Sequence, residues 1–320
     1  MKLFPVIFTT FFLAACGGGS GDSAVEATPL AAVTLTADNE VLVTGATVET
    51  AMGSFELMNL LPVGVETTTA ASNKRVLNKL TTAVVQKVSE YKNAPASVTG
   101  VVTVEQCGSA SNSGNVSFDD FGGTTAGKVT FTNCNLFGEG VIINGTVELS
   151  GFTESALSAA GNATMNVTVT EPGFPTTNVK GSFSFAINGM GTVAEVSTLT
   201  GTHLVITEGT QSQGIFDFNF RSSYNNNTGV STDTVSFTLS APAINGSVKF
   251  VTQTPFVTAT WTSQYPSSGV GTITGAGSTV LRVTALGNEK AAATTQVKIE
   301  RSTDGGTTYP LTRLVAWNTL

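Results

Sequence analysis

The sequence predicts a mainly β protein, and two observations support this class. The chain of 320 residues contains 52 Thr and 34 Gly, whereas only 12% of its residues are charged, a composition unlike that of long helical bundles. From about residue 98 onward, apolar and polar residues alternate, which is typical of strands with one buried face. The fold expected is a large curved antiparallel sheet or incomplete barrel with one or two N-terminal helices packed on it, and the alternative is a β-sandwich.

The chain begins with the pattern of a secretory signal. Lys2 precedes an uncharged apolar run over 3–15, which is shorter than the roughly 20 residues of a membrane-spanning helix. The run ends in Leu-Ala-Ala-Cys at 13–16, which resembles a bacterial lipobox, and Gly-rich residues 17–21 follow. This resemblance implies cleavage before Cys16, attachment of lipid (palmitate-type acyl chains) to that cysteine and sorting to the outer membrane. The alternative is an ordinary secretory signal followed by a chance cysteine.

Composition divides the chain into consecutive segments. They are a lipoprotein signal peptide at 1–15, a flexible tether at 16–35, a helical segment at 36–95 and an antiparallel β domain at 96–320. We expect residues 36–320 to fold as one unit.

Two helices are predicted within the helical segment. The spacing of apolar residues favours a helix from about 38 to 60, although the β-branched run at 41–45 also fits a strand. A second helix is predicted over 72–92, where an apolar stripe lies opposite a basic side and Pro95 follows. That helix either covers the sheet or lies on an anionic membrane surface.

Alternating apolar positions predict the strands of the β domain. These positions are Val129, Phe131, Met165, Val167, Val169, Phe183, Phe185, Ile187, Val235, Phe237, Leu239, Val248, Phe250, Val297 and Ile299. Turn signals separate them, among them Asn144-Gly145, Pro172-Gly173 and Asp304-Gly305-Gly306.

Three phenylalanines are the candidate for an apolar ligand face. Phe216, Phe218 and Phe220 alternate along one predicted strand, so we expect them to line one of its faces. That face is either part of the core or the border of a cavity that holds an acyl chain.

The cysteines predict one disulfide. Removing Cys16 leaves Cys107 and Cys134, an even pair that suits an oxidising envelope compartment. A bond between them would close a loop of 28 residues, worth about 3.6 kcal/mol by the chain-entropy formula. The alternative is two free buried thiols.

The sequence contains no recognisable catalytic constellation. His203 is the single histidine, so most triads and multi-histidine zinc sites lack their parts. Asp119-Asp120 and Asp304 lie in turn-like contexts without the spaced carboxylates of a calcium loop. We therefore expect no catalytic residue, no cofactor, no metal and no enzyme activity. A pI of about 4.8 and the lack of a basic tract also argue against a nucleic-acid partner.

Several segments together resemble a family of bacterial outer-membrane-type lipoproteins that has no assigned activity. They are the lipobox at 13–16, Thr-Ala-Asp-Asn-Glu at 36–40, Val-Thr-Phe-Thr-Asn-Cys at 129–134, Ile-Asn-Gly-Thr-Val at 143–147, and the ending at 302–306 and 315–317. The resemblance implies an exported, lipid-anchored, β-rich envelope protein with a Cys107–Cys134 pair. The resemblance implies no catalytic residue in this chain.

These features predict a lipid-anchored cell-envelope protein with a non-enzymatic binding or structural role. Its expected partners are the membrane, through the lipid on Cys16, and an envelope protein or a polysaccharide that meets a Thr-rich surface. The alternative is a carrier or chaperone for an apolar, acyl-chain ligand in a half-barrel cavity. Periplasmic and surface display both remain open.

Overall fold

One continuous antiparallel sheet dominates the molecule. A computed structural model describes residues 28–58, 103–107, 113–119, 125–135, 140–173, 175–190, 192–209, 211–259, 265–287 and 296–320. Within these residues, fourteen strands follow one another, and each pairs antiparallel with its neighbour in the chain. The mainly β, antiparallel class is therefore confirmed. The sandwich alternative is wrong, because all described strands belong to a single sheet.

The strands are longest in the middle of the sheet, and the described sheet is open. No pairing joins the first and last described strands, which form its two edges. In chain order the strands are β1 Thr103–Gln106, β2 Asn115–Asp119, β3 Gly127–Cys134, β4 Ile142–Ser155, β5 Ser158–Thr170, β6 Thr177–Asn188, β7 Ala194–Glu208, β8 Gln211–Asn225, β9 Val230–Ala241, β10 Gly246–Thr258, β11 Ser268–Thr274, β12 Val280–Leu286, β13 Gln296–Ser302 and β14 Leu311–Ala316.

One α-helix, α1, occurs among the described residues; it spans Glu40–Met58 and confirms the helix predicted at 38–60 over the alternative strand. Two described 3-10 helices span Pro242–Ile244 and Trp317–Thr319. Asn39 fixes its start, because the side-chain oxygen accepts a hydrogen bond from the backbone N–H of Thr36 at 2.8 Å. The Asn39 amide also donates to the carbonyl of Thr34 at 3.0 Å. The helix predicted at 72–92 lies outside the described residues.

The sheet curls around α1. The helix packs against β7–β9 and also against β12 and β13, so one sheet reaches it from two directions. Val43, Thr44 and Thr47 on the helix are fully buried. The concave face of the sheet and α1 thus share one hydrophobic core, which confirms a curved sheet with an N-terminal helix packed on it.

Residues 30–35 lead into α1 along one end of the sheet. Val33 donates its backbone N–H to the carbonyl of Ser247 at 3.0 Å, and its own carbonyl accepts from Ala276 at 2.8 Å. Leu35 donates its backbone N–H to Thr279 Oγ1 at 3.0 Å and is itself buried. These bonds tie residues 30–35 to the hairpin ends of β9–β12.

Ionic and steric contacts join α1 to the end of the chain. Glu40 lies 3.2 Å from Arg301 Nε and 3.3 Å from Arg313 Nε, and its side chain is only 8% exposed. Farther along α1, a Cβ on Gly45 would come within 2.7 Å of the backbone oxygen of Leu320. The close approach of the C-terminus to α1 therefore requires glycine at this position.

The predicted alternation is correct for nearly every strand. All the apolar positions named above are buried except Phe185, which is half-buried. Of the three turn signals named above, one is wrong: Asn144-Gly145 lies inside β4. A Cβ on Gly145 would come within 2.2 Å of the backbone oxygen of Asn166, so this glycine permits close approach of β5 and does not reverse the chain.

Candidate functional site

The disulfide lies at one edge of the sheet. Cys107 and Cys134 are bonded, with their Cα atoms 5.3 Å apart, as the cysteine count predicts. The bond links the residue after β1 to the last residue of β3, so it cross-links the short edge strand to the body of the sheet. Cys16, the predicted lipid attachment site, lies outside the described residues.

The three phenylalanines of β8 do not share one face, contrary to the prediction. Asp217 adopts a left-handed conformation with φ of 47°, and the pairing of β8 with β9 shifts by one residue between Phe216 and Asn219. This bulge reverses the inside–outside alternation. Phe218 and Phe220 therefore face the core, whereas Phe216 lies on the outer face of the sheet opposite His203.

The interior beside Phe218 and Phe220 is packed. Their rings stack at 5.2 Å, and the Phe220 ring meets that of Phe237 at 5.8 Å. Phe218 and Phe220 are at most 2% exposed and share the core with Val43 of α1. Near Trp317, a cleft between α1 and β10 has a volume of about 10 Å³, the space of one water molecule and far below that of an acyl-chain pocket.

The other residues considered from the sequence have structural surroundings. His203 is half-buried on β7, opposite Phe216 and Ser182. Asp119 ends β2 opposite Lys128, and Asp120 lies outside the described residues. Asp304 accepts hydrogen bonds from Ser302 Oγ and from the backbone of Thr307 and Thr308, which close the β13–β14 turn. These bonds hold the pKa of the Asp304 carboxyl well below its usual range.

Sequence reasoning missed a group of polar residues on the concave face, five of them buried and Tyr224 half-buried, named here the inner polar cluster. Two rungs of cross-strand neighbours on β7, β8 and β9 build it, immediately beyond the apolar rung of Leu199, Phe220 and Val235. Its members are Glu195, Tyr224 and Ser231 in one rung, and Ser197, Ser222 and Asp233 in the other. The signal was available: positions 222 and 224 continue the period of two that starts at Phe218 and Phe220.

Asp233 is the most deeply buried carboxyl of the inner polar cluster. It is 1% exposed, and it accepts hydrogen bonds from Ser222 Oγ at 2.5 Å and Ser231 Oγ at 2.8 Å. Burial raises the pKa of Asp233 to about 6, and the two serine hydroxyls oppose that rise. Burial and the nearby Glu195 likewise raise the pKa of Tyr224.

The outer face of the sheet carries a second polar group, named here the outer polar rung. One small uncharged side chain from each of β4–β9 stands in a row of direct cross-strand neighbours. The members, in order, are Ser150, Asn162, Ser184, Thr200, Asn219 and Ser236. All six are exposed or half-exposed, and the residues that flank them on β5–β9 face inward. Ser184 donates to Asn162 Oδ1 at 2.6 Å.

The chain matches no known family model, no curated protein and no solved structure.

Within the described part of the chain, no group of three or more His, Cys, Asp and Glu residues is placed to hold a metal ion. Nor does any described helix have the length and apolar character needed to cross a membrane. The arrangements that remain as candidate sites are the inner polar cluster, which is buried except for half-buried Tyr224, and the outer polar rung, which solvent reaches.

Proposed function

We propose that this protein is a lipid-anchored component of the cell envelope with a non-enzymatic binding role, and that its outer polar rung binds a neutral polysaccharide. The lipobox-like sequence at 13–16 supports the anchor. The disulfide between Cys107 and Cys134 supports an oxidising compartment, where such bonds persist.

The outer polar rung is the observation that carries the binding role. Its side chains follow the spacing of neighbouring strands, about 4.8 Å, so six strands give a row of about 24 Å. Hydroxyl and amide groups both donate and accept hydrogen bonds, as the hydroxyls of a sugar chain do. Since the rung contains no charged residue, its chemistry matches a neutral glycan better than an anionic polymer.

The adjacent rungs support the same ligand class. On one side the row contains Thr198, Arg221 and Thr234, and on the other it contains Glu148, Thr164, Ser182, His203 and Phe216. The charged residues nearest the outer polar rung therefore carry both signs and form no continuous track: they are Arg221 and the exposed Asp217 on β8, and Glu148 on β4. A nucleic acid would need a continuous basic track instead.

Removal of hydrogen-bonding groups from the rung tests the binding role. We expect the purified chain to be retained on an immobilised neutral polysaccharide, and the double variant Thr200→Val, Asn219→Leu to lose most of that retention. Thr284→Val is the matched control, because Thr284 faces outward on β12, away from the rung. Equal retention of all three proteins, or retention of none, would overturn the proposed binding role.

A separate experiment tests the anchor. We expect Cys16→Ala to move the protein from the membrane fraction to the soluble fraction and to abolish labelling by radioactive palmitate. If the wild-type protein is soluble and unlabelled, the anchor is wrong whatever the polysaccharide experiment shows.

A further inference from the structure

The outer polar rung has a geometry that selects among neutral polysaccharides. Its members, from Ser150 on β4 to Ser236 on β9, are direct cross-strand neighbours, so the row crosses the strands at right angles. A chain bound along the rung therefore meets one hydroxyl or amide group from each strand, at intervals of about 4.8 Å. The interval at the side-chain tips is slightly larger, because the sheet curls around α1 and its outer face is convex.

The two adjacent rows do not continue this pattern across the same six strands. In the row that contains Arg221, Ala160 and Ala186 occupy β5 and β6. In the row that contains Glu148, Phe216 occupies β8. The rung between them has a hydroxyl or amide side chain on every strand from β4 to β9. It therefore provides a continuous line of hydrogen-bonding groups for a polymer that lies across the strands.

The Asn162 side chain of the rung is oriented in the absence of a ligand. Its Oδ1 atom accepts a hydrogen bond from the Ser184 hydroxyl at 2.6 Å, and its Nδ2 atom lies 3.5 Å from the backbone oxygen of Ser150. The amide is thus directed along the row, between β4 and β6. Because this part of the surface is already ordered, less conformational freedom is lost there when a ligand binds.

We propose that the outer polar rung binds an extended chain of β-1,4-linked glucose or N-acetylglucosamine units, with one sugar on each strand, an inference that rests on the proposed polysaccharide-binding function. In such a chain both bonds of each linkage are equatorial, so the rings lie end to end. Each sugar then advances the chain by a distance close to the strand spacing of about 4.8 Å. An α-1,4-linked chain has an axial bond at each linkage, so it coils and advances less per sugar. Its hydroxyl groups therefore do not stay in step with the rung.

The length of the rung sets the number of sugars that it contacts. Its six side chains extend over about 24 Å, so a hexasaccharide reaches all of them and a trisaccharide reaches three. We expect the affinity to rise with each sugar from the trisaccharide to the hexasaccharide. Ser150 lies at one end of the rung. A hexasaccharide in full register must contact this residue, whereas a trisaccharide has room to bind on the other five strands.

Calorimetric titration of the purified protein tests the linkage. Cellohexaose and maltohexaose are matched probes, because both contain six glucose units and they differ only in the configuration of the linkage. Chitohexaose, which contains N-acetylglucosamine, is the second β-1,4-linked probe. We expect cellohexaose or chitohexaose to bind about tenfold more tightly than maltohexaose, the effect of one or two hydrogen bonds that the coiled chain does not make.

Substitution at one end of the rung tests the register. Ser150→Ala should lower the affinity for the β-1,4-linked hexaose about threefold to tenfold, the effect of one lost hydrogen bond. The affinity for the corresponding triose should not change. Ser268→Ala is the matched control, because Ser268 is an exposed serine on β11, outside the rung. This control should leave both affinities at the wild-type value.

Several results would overturn the extended-chain arrangement. They are equal affinities for cellohexaose and maltohexaose, a triose that binds as tightly as its hexaose, equal losses for Ser150→Ala and Ser268→Ala, and binding of neither β-1,4-linked hexaose. None of these results alters the retention of the wild-type protein on an immobilised polysaccharide or the loss of that retention in the Thr200→Val, Asn219→Leu variant. The retention experiment therefore tests the binding role separately from the linkage and the register.

Discussion

The buried carboxyl of Asp233 gives the fold a pH dependence that can be worked out from its surroundings. The pKa rises from an ordinary 3.8 to about 6 in the folded chain, because 99% of the side chain is removed from solvent. That difference corresponds to about 3 kcal/mol, at 1.36 kcal/mol for each tenfold change in proton affinity. Because the folded-state pKa is raised, the protonated carboxyl contributes this free energy to the folded state in full below pH 3.8. The contribution is lost as the pH rises through about 6.

Asp233→Asn tests this reasoning, because an amide keeps the shape of the carboxyl group and does not titrate. We expect the variant to gain stability relative to wild type by about 3 kcal/mol between about pH 3 and about pH 7. The measurement is the free energy of urea unfolding at several pH values across that range, with circular dichroism as the signal. A stability difference between Asp233→Asn and wild type that does not change with pH would refute the assignment of a proton to buried Asp233.

The same substitution at an exposed aspartate is the matched control, with the opposite sign. Hydrogen bonds from Ser302, Thr307 and Thr308 lower the pKa of Asp304, so its ionised form stabilises the turn. Asp304→Asn should therefore be less stable than wild type near neutral pH, and the difference should shrink as the pH falls below 3.8.

Three further perturbations have defined outcomes in chemical denaturation. Glu40→Gln leaves two arginines without their buried carboxylate and should lower the free energy of unfolding by about 3 kcal/mol. Glu148→Gln, the control in an exposed pair, should lower it by less than about 1 kcal/mol. Equal losses would contradict the role of Glu40. Gly45→Ala should cost about 1–3 kcal/mol by displacing the C-terminus, and an unchanged midpoint would show that the C-terminus does not pack there. Replacing Cys107 and Cys134 with Ser should cost about 3.6 kcal/mol, and the reduced wild type should match that variant.

The class of fold could be predicted from the sequence because burial on one face imposes a period of two. β5 and β9 keep that period along their length, so Met165 and Phe237 are buried as expected. The helix at 40–58 was less evident, since most of its residues over 40–52 are buried or half-buried and they do not form a clear apolar stripe. Its position became certain only once the sheet that surrounds it was known.

Two features escaped sequence reasoning for identifiable physical reasons. The bulge at Asp217 inserts one residue without breaking the written alternation of Phe216, Phe218 and Phe220, so the change of face is invisible in the sequence. The inner polar cluster was missed because its inward residues, such as Ser222 on β8 and Asp233 on β9, are polar, and the outward residues beside them are polar too. Where both faces of a strand are polar, hydrophobic alternation does not mark the inward positions. They could be assigned only by extending the period of two that Phe218 and Phe220 set.

The hydrogen bonds of residues 30–35 impose an order on folding. Each strand pairs with the strand made just before it, so the sheet is able to grow by local hairpins as synthesis proceeds, and local contacts form quickly. The bonds from Leu30 to Ser240 and from Leu35 to Thr279 instead span 210 and 244 residues. Residues 30–35 are synthesised early, but they cannot form these bonds until β9–β12 are in place. The N-terminal entry to α1 is therefore among the last parts of the native structure to form.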